Sequence, residues 1–330
     1  MNSRQDLASH WEAVFDQIDA TMHSSPEEAL KLCKQVFVES YLWEPPVYVR
    51  AAERYGKIMD HLGKSAEARD SLFAAQEAAQ GSCLPIYEAK ILERLARSYY
   101  SSGDYRRAIQ FWNSSIDVVN RTGGDAETWI LAKIGLAQAY KDANDYAACD
   151  AMLAEAQART AEVADPHLDA KIKINMAVSL MERDRSAEAS SLLHEAFKIC
   201  SEHQLFDYLS ESNLYLGKIA LAEGALERAL SYLEAGLANS RQVNFRWCEA
   251  HLLAAKAQVF ALNGEVVKAL QTVLEAQAIA TADGFSDMLI QQHFAAAEYA
   301  ASLNDFATAY TQYKAGHACE QRVRVRPSAP

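Results

Sequence analysis

An all-α solenoid of about eight helix-turn-helix repeats is the fold this sequence predicts, and three observations predict it. A small residue recurs at Ala29, Ala68, Ala108, Cys149, Ala189, Ala229, Ala269 and Ala309, at intervals by subtraction of 39, 40, 41, 40, 40, 40 and 40. A second small series, Gly56, Ala96, Ala137, Ala177, Gly217, Ala257 and Ala297, stands 12 positions before the later members of the first. Between the two series fall turn formers: Gly63, Gly103, Asn144, Asp184, Gly224, Gly264 and Asn304. One period held across nearly the whole chain means stacked units that share a continuous core.

The expected repeats are 5–40, 46–82, 86–121, 127–161, 167–203, 207–242, 247–282 and 287–320, forming one domain over 1–320 with a flexible tail at 321–330. The first repeat is the most degenerate and is assigned as a cap. In the third, Leu92, Leu95, Ala96 and Tyr99 fall on one helical face at i, i+3, i+4 and i+7. Gly103 then supplies a left-handed stop, and Asp104 an N-cap for the next helix. Tyr105, Ala108, Ile109 and Trp112 continue the apolar face.

The fourth repeat replaces Gly103-Asp104-Tyr105 with Asn144-Asp145-Tyr146, and the eighth with Asn304-Asp305-Phe306. Asn tolerates the left-handed region better than other side chains do. Small residues at both recurring places let the paired helices approach closely. Leu72, Trp112, Leu153, Leu193, Leu233, Val273 and Tyr313, four positions beyond the second helix's small residue, fill the space behind it. Phe206, Phe245 and Phe285 recur in three of the connections as anchors from loop to core.

The net charge of −12 opposes a phosphate-rich partner, so nucleic acid is not expected. No apolar run of 18 residues is present, which argues against a membrane span. The opening MNSRQDLASHWEAVF lacks the layout of a secretory signal. Cysteines 33, 83, 149, 200, 248 and 319 are at least 48 residues apart, with no zinc-ligand spacing. A reducing cytoplasm is the expected setting, with no metal and no cofactor.

LARSYYSSGDYRRAIQFW and LGKIALAEGALERALSYL carry a small–Tyr–turn–small–aromatic layout that resembles the tetratricopeptide repeat. The unit here is about 40 residues, longer than the usual unit of that family. The longer form is similar to that of bacterial peptide-sensing regulators and of helical sensor regions fused to signalling domains. The last repeat, NDFATAYTQYKAGHACEQRV, resembles the one preceding the helical linker in tetratricopeptide proteins joined to diguanylate cyclases. The resemblance implies an α-α superhelix whose inner, first-helix surface binds a protein or peptide.

TGGDAE at 122–127 shares Gly-Gly-Asp with the cyclase signature, but a turn followed by an N-cap at a repeat boundary accounts for it. No nucleophile with its base, HExxH or phosphate loop is present, so no enzyme is expected. Histidines such as His23, His167 and His203 fall on loop or exposed positions.

The inner face is therefore where candidates lie. Arg50, Arg54 and Lys57 in the second repeat, and Lys90, Arg94 and Arg97 in the third, make a row of cations suited to an acidic peptide. Glu53 and Glu93, each at i, i+4 from a cation, offer the alternative of an ordinary solvated face. Lys90 and Arg94 match part of the tetratricopeptide carboxylate clamp, but Arg54 stands where its asparagine would be. Farther along lie Ile134, Gln138, Lys171, Ile174, Asn175, Val178, Leu214, Tyr215 and Lys218. Asn175 is a candidate for bonding a peptide backbone, with Tyr215 and Lys218 beside it. Ile174, Val178 and Leu214 would then supply apolar pockets, or else pack one repeat on the next.

The function expected is non-catalytic recognition of a protein or peptide segment by a bacterial signalling regulator. A scaffold joining two proteins, a sensor half whose output domain is separate or removed, and a small-molecule or metal-dependent enzyme are the alternatives, and a homo-oligomer is among the partners considered.

Overall fold

The computed structural model describes residues 2–22, 25–40, 44–62 and 64–324. Gly63, His23, the start of the LWEPPVY connection and residues 325–330, most of the expected tail, lie outside them. The described residues hold sixteen α-helices and no strand.

Two compact units divide the chain, residues 1–168 and 169–330. Unit 1 contains α1 (Asn2–Thr21) with α2 (Pro26–Ser40), α3 (Pro45–His61) with α4 (Arg69–Gly81), α5 (Pro85–Ser101) with α6 (Tyr105–Thr122), and α7 (Ala126–Asp142) with α8 (Tyr146–Val163). A 3-10 turn at Ser65–Ala68 leads into α4. Unit 2 holds nearly all of α9 (Pro166–Met181) with α10 (Ser186–His203), then α11 (Phe206–Ala222) with α12 (Leu226–Gln242). It ends with α13 (Arg246–Leu262) and α14 (Val266–Ala282), α15 (Ser286–Ser302) and α16 (Phe306–Arg324).

Every described turn within a repeat is closed as the sequence indicates. Gly103, Asn144, Asp184, Gly224, Gly264 and Asn304 all take positive φ, between 60° and 79°. The amide after the left-handed residue then reaches back to a carbonyl in the last helical turn, as from Asp104 to Tyr99 O at 2.9 Å and from Asp145 to Tyr140 O at 2.9 Å. The Asp that follows caps the second helix, Asp104 accepting from the Arg107 amide at 3.1 Å and Asp145 from the Ala148 amide at 3.0 Å. Asp305 does the same for the Thr308 amide.

The turns between repeats use the same closure without the expected residues. Cys83, Ala164, Gln204 and Asn244 stand at φ of 51–56°, alongside Gly123 and Gly284. For Cys, Ala and Gln this conformation costs about 1–2 kcal/mol, so packing of the flanking helices imposes it.

The small-residue series lies where the paired helices touch. Ala29, Ala68, Ala108, Ala189, Ala229 and Ala269 are fully buried and Cys149 is nearly so. A methyl on Gly217 would sit 2.8 Å from Leu233 Cδ2, and one on Gly56 would sit 3.2 Å from Leu72 Cδ2. The large residues behind them, Leu72, Trp112, Leu153, Leu193, Leu233 and Val273, are at most 1% exposed. Tyr313 is 52% exposed and Ala309 half-buried, because no described helix follows α16 to cover them. Phe245 and Phe285 pack against one unit 2 core cluster, and Phe206 against another.

Candidate functional site

The first helices α1, α3, α5 and α7 of unit 1 pack in succession, as do α11, α13 and α15 of unit 2. The 40-residue period places Arg50, Lys90, Lys171, Glu211 and His251 at one repeat position. Arg54, Arg94, Asn175 and Tyr215 share a second position, and Lys57, Arg97, Val178 and Lys218 a third. In the fourth repeat the second position is Gly135, and the Trp112 ring fills it: a methyl there would lie 2.1 Å from Trp112 Cε2.

In unit 1 the cationic row is laced with carboxylates. Arg50 makes a two-pronged bond to Glu12 at 2.6 and 2.8 Å, and Arg54 one to Asp19 at 2.9 and 2.6 Å. Both guanidinium groups lie over the Phe15 ring, at 4.2 and 4.6 Å from its centre. Lys57 Nζ is 3.1 Å from Glu53, and Lys90 Nζ is 3.2 Å from Asp125. Arg94 contacts Glu93 at 3.2 Å and Glu53 at 3.5 Å. Arg97 contacts Glu93 at 3.6 Å and Asp60 at 3.9 Å, and bonds Gln138 at 3.2 Å.

Glu53 and Glu93 are 6% and 2% exposed, so these are buried pairs. Burial alone would push the Glu53 carboxyl up, but Lys57, Arg94 and Arg54 outweigh it and hold the group down at about 2. The expected open positive patch is thus a charge ladder between helices. Glu53 and Glu93 were readable as partners at i, i+4. Glu12, Asp19, Asp60 and Asp125 came from neighbouring repeats.

Asp125 also explains the Gly-Gly-Asp segment. Gly123 ends α6 at φ 64°, and Asp125 precedes α7, accepting from the Thr128 hydroxyl at 2.6 Å while pairing with Lys90. Asp125 stands at the N-cap position of α7 without bonding a helix amide through its side chain.

Unit 2 differs. Ile174 and Leu214 are 2% and 1% exposed and belong to core clusters, so they pack repeat on repeat and line no pocket. Ile134 of unit 1 is likewise fully buried. Asn175 turns its amide to Lys171 O of its own helix at 2.8 Å. Lys218 is half-buried, with its ammonium over the Tyr215 ring at 5.4 Å. Among the described residues it has neither an ion pair nor a hydrogen bond.

Burial pushes the Lys218 ammonium down from its ordinary range. Within electrostatic reach on α13 is His251, which burial and then the Lys218 cation push down to about 3. The Trp247 ring stands edge-on to His251 at 4.3 Å between centres. His251 and Trp247 escaped the sequence reading. The signal was present, since His251 holds the Lys90 position in the seventh repeat, 40 residues after Glu211 and 80 after Lys171.

No family model and no curated protein matches the chain. Solved structures do. The Rap conjugation gene regulator of plasmid pLS20 in complex with the Phr* peptide is 13% identical, with TM-score 0.67 over 95% of this chain and 94% of that one. Aspartyl phosphate phosphatase F from Bacillus subtilis is 12% identical, with TM-score 0.65 over 97% and 82%. The APC/C hetero-tetramer Cut9-Hcn1 is 13% identical, with TM-score 0.64 over 93% and 52%. The fold is a tetratricopeptide-like helical solenoid. Such identities establish fold alone, and the three proteins are named for three different roles. No described helix is long and apolar enough to cross a membrane, and the described residues contain no cluster of three or more metal-ligating side chains.

Proposed function

We propose that this chain is a non-catalytic regulator that recognises a protein or peptide segment on the first-helix face of unit 2, in a bacterial signalling setting. The observation that carries the reading is the contrast at one repeat position. Lys57 and Arg97 are paired with carboxylates, whereas Lys218 has none. A half-buried cation with no counter-charge is costly to keep, and a binding surface gives a reason to keep it. Asn175, Tyr215 and Lys218 are the binding residues of this proposal. Arg50, Arg54, Lys90, Arg94 and Arg97 pair with carboxylates of neighbouring elements, and Lys57 with Glu53 of its own helix. The peptide-bound solved structure of the same fold supports the reading.

Hydrogen exchange on the full chain, with and without a pool of random heptapeptides, tests it. Protection should concentrate in α9, α11 and α13. Protection confined to unit 1, or none in the folded chain, would refute the proposal. Protection of two separate patches by two different protein partners would favour the scaffold alternative.

A further inference from the structure

We infer that Lys218 anchors a carboxylate of the bound segment, with His251 as a second donor. The inference rests on the reading that unit 2 receives a peptide, and it names the chemical group recognised there.

The chain itself shows what this repeat position accepts. Lys57 and Arg97, its equivalents in the second and third repeats, each have a glutamate one turn earlier, Glu53 and Glu93. Those carboxylates stand 3.1 Å from Lys57 and 3.6 Å from Arg97. The residue one turn before Lys218 is Leu214, 1% exposed and part of a core cluster. Lys218 thus stands without the glutamate that Lys57 and Arg97 have one turn earlier.

The surroundings favour an anion from outside over solvent. One side of Lys218 is the Tyr215 ring. From α13, which packs directly on α11, His251 lies within electrostatic reach of the ammonium and is held neutral. A neutral imidazole keeps one N–H to donate, and its Trp247 neighbour contacts the ring edge-on. Other half-buried lysines of unit 2 are already engaged: Lys173 bonds Glu195 and Lys256 bonds Glu234, both at 2.9 Å. An incoming carboxylate meets a cation that gives up no internal partner to bind it, and a charge-assisted bond in a partly desolvated place is stronger than at the open surface. A peptide offers that group in two ways, as an Asp or Glu side chain or as the free C-terminus.

The test uses the full chain and heptapeptide pools, each fixed at one position, made both as free acids and as C-terminal amides. Binding is read by fluorescence polarisation. The parent should prefer pools fixed as Asp or Glu over Asn or Gln at one position, or free acids over amides, by about tenfold. The first pattern identifies a side-chain carboxylate and the second a terminal one. Lys218→Met should reduce that preference to within about twofold while neutral pools still bind. Lys218→Glu should turn the preference toward Lys and Arg. His251→Gln should weaken the acidic preference by a smaller factor than Lys218→Met does. If pools bind the parent without an acidic or free-acid preference, or the preference survives in Lys218→Met, the inference fails and the peptide reading stands. If no pool binds the folded parent, as judged by its helical circular dichroism and melting transition, both fail.

Discussion

Arg97 in unit 1 and Lys218 in unit 2 occupy the same place in their repeats, and their surroundings are opposite. Arg97 reaches Glu93 on its own helix, Asp60 on α3 and Gln138 on α7. Lys218 lies over an aromatic ring and within electrostatic reach of an imidazole, and Leu214 stands one turn earlier where Arg97 has its glutamate. Equal register therefore gives an equal direction for the side chain and says little about its energetic role. In unit 1 the cations other than Lys57 pair with carboxylates on neighbouring elements. In unit 2 the equivalent charge is available to something else.

The largest way to break this comparison is to remove a shared carboxylate from the ladder. Glu53 serves Lys57 and Arg94 and is almost fully buried. Glu53→Ala leaves both without it and should cost about 3–5 kcal/mol, read as a lowered urea midpoint. A loss below about 1 kcal/mol would mean that the ladder contributes little to cohesion.

A smaller loss is expected at Gly135, where the ladder's second position is emptied for Trp112. The alanine methyl would overlap a ring that has no exposed surface. Gly135→Ala should cost about 1–3 kcal/mol with the fold retained. Full stability in that variant would show that Trp112 does not need the vacated position.

Acid should separate the two regions by pH window. His251 has a folded value of about 3 against an ordinary 6.5, so the unfolded chain binds the extra proton between those values and stability falls as pH drops from 6.5. Glu53 has a folded value of about 2 against 4.5, so its contribution is complete above 4.5 and is lost as pH falls toward 2. Urea midpoints measured from pH 7 to pH 5 should decline in the parent, and less in His251→Gln. A decline unchanged by that substitution would remove His251 as the titrating group. Below 4.5 the further decline should be smaller in Glu53→Gln.

The smallest effect is expected at Lys218 itself. Because no carboxylate depends on it, Lys218→Met should alter the melting free energy by less than about 1 kcal/mol, in either direction. A loss comparable with that of Glu53→Ala would show that Lys218 has a structural partner after all, and the contrast between the two units would collapse.

Much of the fold was legible because its causes are local or periodic. Gly103, Asn144 and Asn304 announce left-handed turns, and Asp104, Asp145 and Asp305 announce caps, each through chemistry within a few residues. The turns at Cys83, Ala164 and Gln204 were not legible in this way, since none of these residues favours positive φ and the flanking packing imposes it. The proposed site was legible in part. The repeat register of Asn175, Tyr215 and Lys218 is read from the sequence, but Ile174 and Leu214 are core, and Glu12, Asp19 and Asp125 gave no local sign that they would neutralise the row.

By itself the sequence determined the period, the helix faces, most of the turns and the acidic balance of the chain. These depend on 3.6-residue geometry and on the backbone preferences of single residues. Only the tertiary structure decided which charges are used up. An ion pair between residues some 35 positions apart, such as Arg50 with Glu12 or Lys90 with Asp125, exists only once two helices pack at a particular depth and rotation. Helical periodicity fixes which way a side chain points, and the distance to a partner on the next helix is set by how the small residues between them let the backbones approach.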